Sequence, residues 1–271
     1  MKQKWHEKLP LQHSASLLFW MTILIGLLST ATAVFSLFNP ALSYPTQDIK
    51  LAFFPSDIAM LIVGFPLLLI CIILLLRSNF AGLLCWPGAL FFIMYSYALY
   101  LFGIPFGPLF LVYLLIVSLS IFTLIGVVTS IEPQSVKSHF HENVPIKFAA
   151  GVLIGLAVMI LMREIGLIVS ALSTGREVSQ VEMSLWITDF VFGSPPLIIV
   201  GVLLWTRRAF GFVAAPGLLL QYGMLSIGLI PVLIYQAIAG GIDFDIAGLI
   251  VVIVMILLCM IPFVLLIKAQ K

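Results

Sequence analysis

Two adjacent charges, Arg163 and Glu164, stand inside an otherwise apolar run at residues 148–168. An arginine at the centre of a bilayer costs at least about 2.5–3.5 kcal/mol on insertion scales. The pair therefore marks either a polar centre with partners elsewhere, or a helix that ends early and lets Arg163 reach the outer interface. Neighbours in sequence point about 100° apart on a helix, so each charge is expected to need its own partner. Ser29, Thr30, Thr32, the tyrosines of residues 95–100 and an aspartate near the outer surface are available. Asp57 and Asp189 each follow Ser or Thr and open an apolar run. They read as helix N-caps, or as two carboxylates that gather cations at an outer mouth. The third candidate is a Gly-x-Pro break in each of these runs, Gly64-Phe65-Pro66 and Gly193-Ser194-Pro195. A helical proline removes one hydrogen bond and displaces the carbonyl four residues back, here Ile62 in one run and Val191 and Phe192 in the other. Pro66 lies roughly 13 Å below Asp57 at helical rise, where a freed carbonyl must meet water, an ion or a side chain. Ile62, Pro66 and Pro195 thus mark either packing kinks or a binding site between matched broken helices.

The elements that position these groups are membrane helices. Of 271 residues, 62% are apolar and 9% charged, with a mean hydropathy of +1.23. A soluble domain is about 45–50% apolar and 25% charged, so the excess must face lipid. Eight spans are expected, at 17–37, 58–76, 83–101, 109–128, 148–168, 190–205, 212–234 and 246–267. Each of the longer runs suffices to cross roughly 30 Å of hydrocarbon. Ala31-Thr32-Ala33 also resembles a signal-peptidase site, which makes cleavage of the first span the rival reading. With the N-terminus in the cytoplasm, the inner segments hold Lys2, Lys4, Lys8, Arg77, Lys137, Lys147, Arg207, Arg208, Lys268 and Lys271. The outer segments hold only Lys50 and Arg176. That asymmetry places both termini inside.

The halves echo one another. Ala41-Leu42-Ser43 returns as Ala171-Leu172-Ser173, Pro87-Gly88 as Pro216-Gly217, and Asp57 as Asp189, at spacings of 130, 129 and 132 residues. Matched features fall on the same predicted membrane side, so the expected architecture is all-α, with two parallel four-helix repeats. Residues 1–130 form the first repeat, 131–147 a cytoplasmic linker and 148–271 the second. Arg163 and Glu164 belong to one half only, because Ala33 and Val34 stand at the equivalent places.

Other features are read as architecture. Cys71, Cys85 and Cys259 lie in apolar runs without CxxC or Cys/His spacing and act as small hydrophobes. Gly151-x-x-x-Gly155 is a small-residue seam. Tyr95, Tyr97, Tyr100 and Tyr113, with Trp86, Trp186 and Trp205, fit an aromatic belt at the membrane interfaces. His139-Phe140-His141 lacks a third ligand nearby, so no metal is assigned, and no cofactor motif is found. There is no Walker A loop, GxGxxG, HExxH or GxSxG. A net charge of +2 excludes a polybasic nucleic-acid binder.

Trp86-Pro87-Gly88-Ala89-Leu90, the run from Tyr95 to Phe106, Phe110-Leu111-Val112-Tyr113, and the run from Leu203 to Pro216 together resemble a set of bacterial multi-pass membrane proteins without an assigned activity. The resemblance covers about a third of the chain and implies an inner-membrane protein of about eight helices. It supplies no functional residues. The functional expectation is a small transporter or permease-like protein with a site between the repeats, in contact with lipid and a small solute. The alternatives are a membrane scaffold holding a protein partner and, third, an intramembrane enzyme.

Overall fold

The computed structural model describes residues 9–11, 15–141, 144–241 and 243–270. Lys2, Lys4, Lys8, Glu142 and Lys271 lie outside them. Among the described residues, eight helices are long and apolar enough to cross a membrane. They are α1 (Ser16–Phe38), α2 (Gln47–Leu76), α3 (Phe80–Gly103), α4 (Phe110–Ser130), α5 (Ile146–Thr174), α6 (Gln180–Trp205), α7 (Ala209–Gly240) and α8 (Ile246–Lys268). Short helices at Pro40–Ser43 and Pro133–Ser138 join them.

Two helices differ from expectation in where they begin. α2 starts at Gln47 and α6 at Gln180, capped by Thr46, which accepts from the Ile49 amide at 3.3 Å, and by Ser179, which accepts from Glu182 at 3.2 Å. Asp57 and Asp189 are therefore not caps, because they lie well inside continuous helix. Both helices widen to a π turn just before the proline, at Met60–Gly64 and at Asp189–Gly193. The Phe65 amide reaches back to the Met60 carbonyl, and the Ser194 amide to that of Asp189. Adding one residue to a turn in this way absorbs the missing proline donor without breaking the helix.

α3 and α7 form the centre. In α3, 89% of its apolar window is buried, against 22% in α5 and α8. α3 packs on α2, α4, α6 and α7, and α7 packs on α2, α3, α6 and α8. At the rim, α1 packs on α4 and α5 on α8. The central pair meets at Gly88 and Gly217, where a Cβ on Gly88 would lie 2.3 Å from the Gly217 carbonyl oxygen. Only glycine permits backbones that close.

One end of the bundle collects the basic segments. Lys137 Nζ donates to the Arg207 carbonyl at 2.8 Å, and His139 stacks on Phe80 with ring centroids 4.7 Å apart. Residues 9–11 bridge to Ile131, and Phe140 bridges to Gln270. Turns on this end carry Ser78 and Arg207, both in left-handed backbone at φ 53° and 56°.

The aromatic residues correct a second expectation. Tyr95, Tyr97, Tyr100, Tyr113 and Trp86 are buried rather than belted at an interface. Their helix, or in the case of Tyr113 the facing side of α4, lies against other helices, so the polar tips are turned inward, where all but the Tyr113 hydroxyl find a partner. Trp86 Nε1 donates to Thr22 Oγ1 at 2.9 Å, Tyr97 donates to the Ser29 carbonyl at 2.5 Å and Tyr100 to that of Phe53 at 3.2 Å. Trp205 remains exposed, as an interfacial residue would.

Candidate functional site

The π turn of α6 places Asp189 against the central helices. The Asp189 carboxylate is buried and accepts a hydrogen bond from Tyr95 of α3 through Oδ1 at 2.5 Å. Gly193, one helical turn on, leaves room for this arrangement. A Cβ there would lie 2.9 Å from Asp189 Oδ1 and 3.1 Å from the hydroxyl of Tyr222 on α7. Three helices thus bring an acid and two phenols to one point, with the Tyr95 and Tyr222 ring centroids 6.4 Å apart.

Glu164 of α5 joins the group. Its side chain is fully buried, whereas that of Arg163 is 60% exposed, and the two are ion-paired through Arg163 Nη1 and Glu164 Oε1. Both lie within charge range of Asp189, and Glu164 also within that of Tyr95. The expectation that neighbours on a helix need separate partners fails here. The arginine stem is long enough to lie along the helix surface and fold back onto the adjacent carboxylate. The helix does not end at Arg163 either, since α5 continues to Thr174. Of the span-one hydroxyls, Ser29 is engaged with the Gly26 carbonyl and Thr32 with that of Leu28, whereas Thr30 Oγ1 is buried with no hydrogen-bond partner.

The helices that meet here carry several buried polar atoms with no hydrogen-bond partner: Glu164 Oε2 on α5, the Thr188 and Ser194 hydroxyls on α6, and the Tyr222 hydroxyl and both amide atoms of Gln221 on α7. Leaving a buried polar group unpaired costs roughly 1–3 kcal/mol each. Native interiors hold few of them, and such a concentration marks a place that water, an ion or a solute can satisfy. Gln221 and Tyr222 were not singled out from sequence, although an amide inside the apolar run 212–234 was a visible signal.

Asp57 occupies a separate cluster in the other half. It is 1% exposed, and its Oδ2 accepts from the hydroxyl of Tyr44. Burial, then the neighbouring Asp57 carboxylate, push the Tyr44 phenol well above its ordinary range, so it stays a donor. Ile62, Pro66 and Pro195 are not drawn into either cluster. Ile62 is 58% exposed, and Pro195 lies on the outer face of its helix. Asp189 is part of the π turn of α6, whereas Asp57 lies in the α-helical segment before the π turn of α2.

Between α2, α3, α6 and α7 lie two connected clefts of about 90 and 180 Å³, which share Phe53, Ser56, Leu99, Leu229 and Val232. Ser96, Ser184 and Gln236 add polar groups to their walls. Below them the cavity at Gly88 and Gly217, about 280 Å³, is lined by apolar side chains. Among the described residues no group of three or more His, Cys, Asp or Glu could hold a metal ion. No protein-family model, curated protein or solved structure matches this chain.

Proposed function

We propose that this is a small transporter-like membrane protein whose working site is the buried acid cluster of Asp189, Glu164, Tyr95, Tyr222 and Gln221. The observation that carries this reading is the buried Asp189 carboxylate at the π turn of α6, bound by Tyr95, close to the unpartnered Tyr222 hydroxyl and within charge range of the buried Glu164. Ionisable residues inside a membrane face bundle interiors and mark ion or proton routes, and π turns recur at functional places. Asp189 and Glu164 are side chains that can load and release a proton, and among the described residues Arg163 is the positive charge that acts on both.

The site belongs to a molecule of two parallel four-helix repeats. Supporting this are π turns at 60–64 and 189–193, left-handed residues at Ser78 and Arg207, and a mutual contact of Gly88 with Gly217, all spaced 129 residues apart. The packing has the same pattern, with α1 on α4 matched by α5 on α8, and α3 on α6 matched by α7 on α2. The basic end faces the cytoplasm of a bacterial cell, by the positive-inside rule. The clefts between α2, α3, α6 and α7 then open toward the outer side, near the interface of the two halves.

The test is proton entry into proteoliposomes under an imposed inward-negative potential, followed with a trapped pH dye. Wild-type protein acidifies the lumen, and Glu164→Gln slows this about tenfold, the loss expected for about 1.4 kcal/mol at the barrier. Flux equal to that of protein-free liposomes would sink the transport reading. It would favour a membrane scaffold, which has one specific observation behind it. Gly151 and Gly155 are exposed on α5 beside a groove of about 400 Å³, and nothing lies within 4 Å of a Cβ at Gly155.

A further inference from the structure

The Asp57 cluster has its own chemistry and its own entrance. The carboxylate sits in mid-helix with Oδ2 bound by Tyr44 while Oδ1 has no hydrogen-bond partner. The groups acting on it are the phenols of Tyr44 and Tyr100, with no lysine, arginine or histidine among them. The Tyr113, Ser36 and Ser43 hydroxyls are also buried without a partner. Ser36 lies close enough to Tyr44 and Tyr113 to act on both phenols, yet closes no hydrogen bond of normal geometry with either. The rings of Tyr97, Tyr100 and Tyr113 pack together with centroids 5.3–6.1 Å apart. A cavity of about 250 Å³ leads to this group from the bundle end, between residues 42–46 and 104–110. Ser43 and Tyr113 line it, and Pro45, Pro105 and Pro108 stiffen its walls.

We infer that Asp57 Oδ1, with the Tyr113, Ser36 and Ser43 hydroxyls, forms a binding site for a small alkali cation such as Na⁺. The donor set is all hard oxygen, which selects alkali and alkaline-earth ions over zinc or copper. A single carboxylate balances one positive charge, whereas divalent sites of this kind recruit several acidic or substrate oxygens. A proton on Oδ1 would neutralise the acid but could donate to only one of the three hydroxyl oxygens. A cation takes all of them, while Tyr44 keeps its bond to Oδ2. The inference stands apart from the Asp189 cluster.

The test is thermal unfolding of the full chain in detergent, in NaCl against choline chloride at equal ionic strength and fixed pH. The wild type should show a saturable rise in Tm with Na⁺, as any ligand that binds only the folded state produces. Asp57→Asn preserves shape and the acceptor for Tyr44, and should abolish the Na⁺-dependent rise. Tyr113→Phe should move the Na⁺ midpoint up about tenfold, the equivalent of one lost ligand interaction. Glu164→Gln should leave the Na⁺ response intact, which separates this site from the acid cluster. Equal Tm in the two salts for the wild type would overturn the inference. So would a Na⁺ response that survives in both Asp57→Asn and Tyr113→Phe, or a stabilisation that follows pH alone and ignores Na⁺, which would assign the site a proton only.

Discussion

Asp189→Asn is expected to reduce proton entry into proteoliposomes about tenfold or more while leaving the protein folded. The amide keeps the volume of the acid and an oxygen that accepts the Tyr95 hydrogen bond at 2.5 Å, but it no longer carries a proton at that place. Tyr95→Phe should behave differently. It leaves the buried carboxylate without its donor, and an unsatisfied buried acceptor costs roughly 1–3 kcal/mol, more when it is charged. Flux falls in both variants, but only Tyr95→Phe should lower Tm in detergent by several degrees. If the two variants lost stability equally and flux did not change, the Tyr95–Asp189 contact would be a structural clamp.

The second large effect is expected at the crossing of the central helices. A Cβ at Gly88 meets the Gly217 carbonyl oxygen at 2.3 Å and its Cα at 2.6 Å. Those atoms are backbone and cannot rotate away, so Gly88→Val forces α3 and α7 apart. Overpacking a core typically costs about 1–3 kcal/mol, and here the strain falls on the helices that every other layer packs against. The expected result is a protein that inserts but fails to give a monodisperse folded peak in detergent. Gly155→Val serves as the control, because a Cβ there touches nothing. Equal behaviour of the two variants would show that the crossing tolerates separation.

The spans were legible in the sequence because apolar run length is a direct consequence of bilayer thickness, and the Gly-x-Pro breaks do fall at the two π turns. The starts of α2 and α6 were not legible. Their first turns carry Asp48, Lys50 and Glu182, and Pro55 sits inside α2. By hydropathy and proline content those stretches resemble loops, yet they fold as helix under the caps of Thr46 and Ser179. That shift moves Asp57 and Asp189 from helix ends to buried interior, which changes their chemistry altogether. Their phenol partners were out of reach for the same kind of reason. Tyr44 is 13 residues from Asp57 and Tyr95 is 94 from Asp189, and no local periodicity joins such positions. Arg163 and Glu164 stood out in the sequence as a charged pair inside the apolar run of α5. Their pairing was misjudged because backbone angle alone neglects the reach of a guanidinium stem.

In the proposed function, the Asp189 and Glu164 carboxylates exchange protons with solution through the bundle. The most direct measurement is covalent labelling of the intact protein in membranes with dicyclohexylcarbodiimide, an apolar reagent that attacks protonated carboxyls, followed by peptide mass spectrometry. The account predicts an adduct on Asp189 or Glu164, with loss of proton flux in step with labelling. Both residues left unmodified, under conditions where the unfolded chain reacts at each, would contradict it.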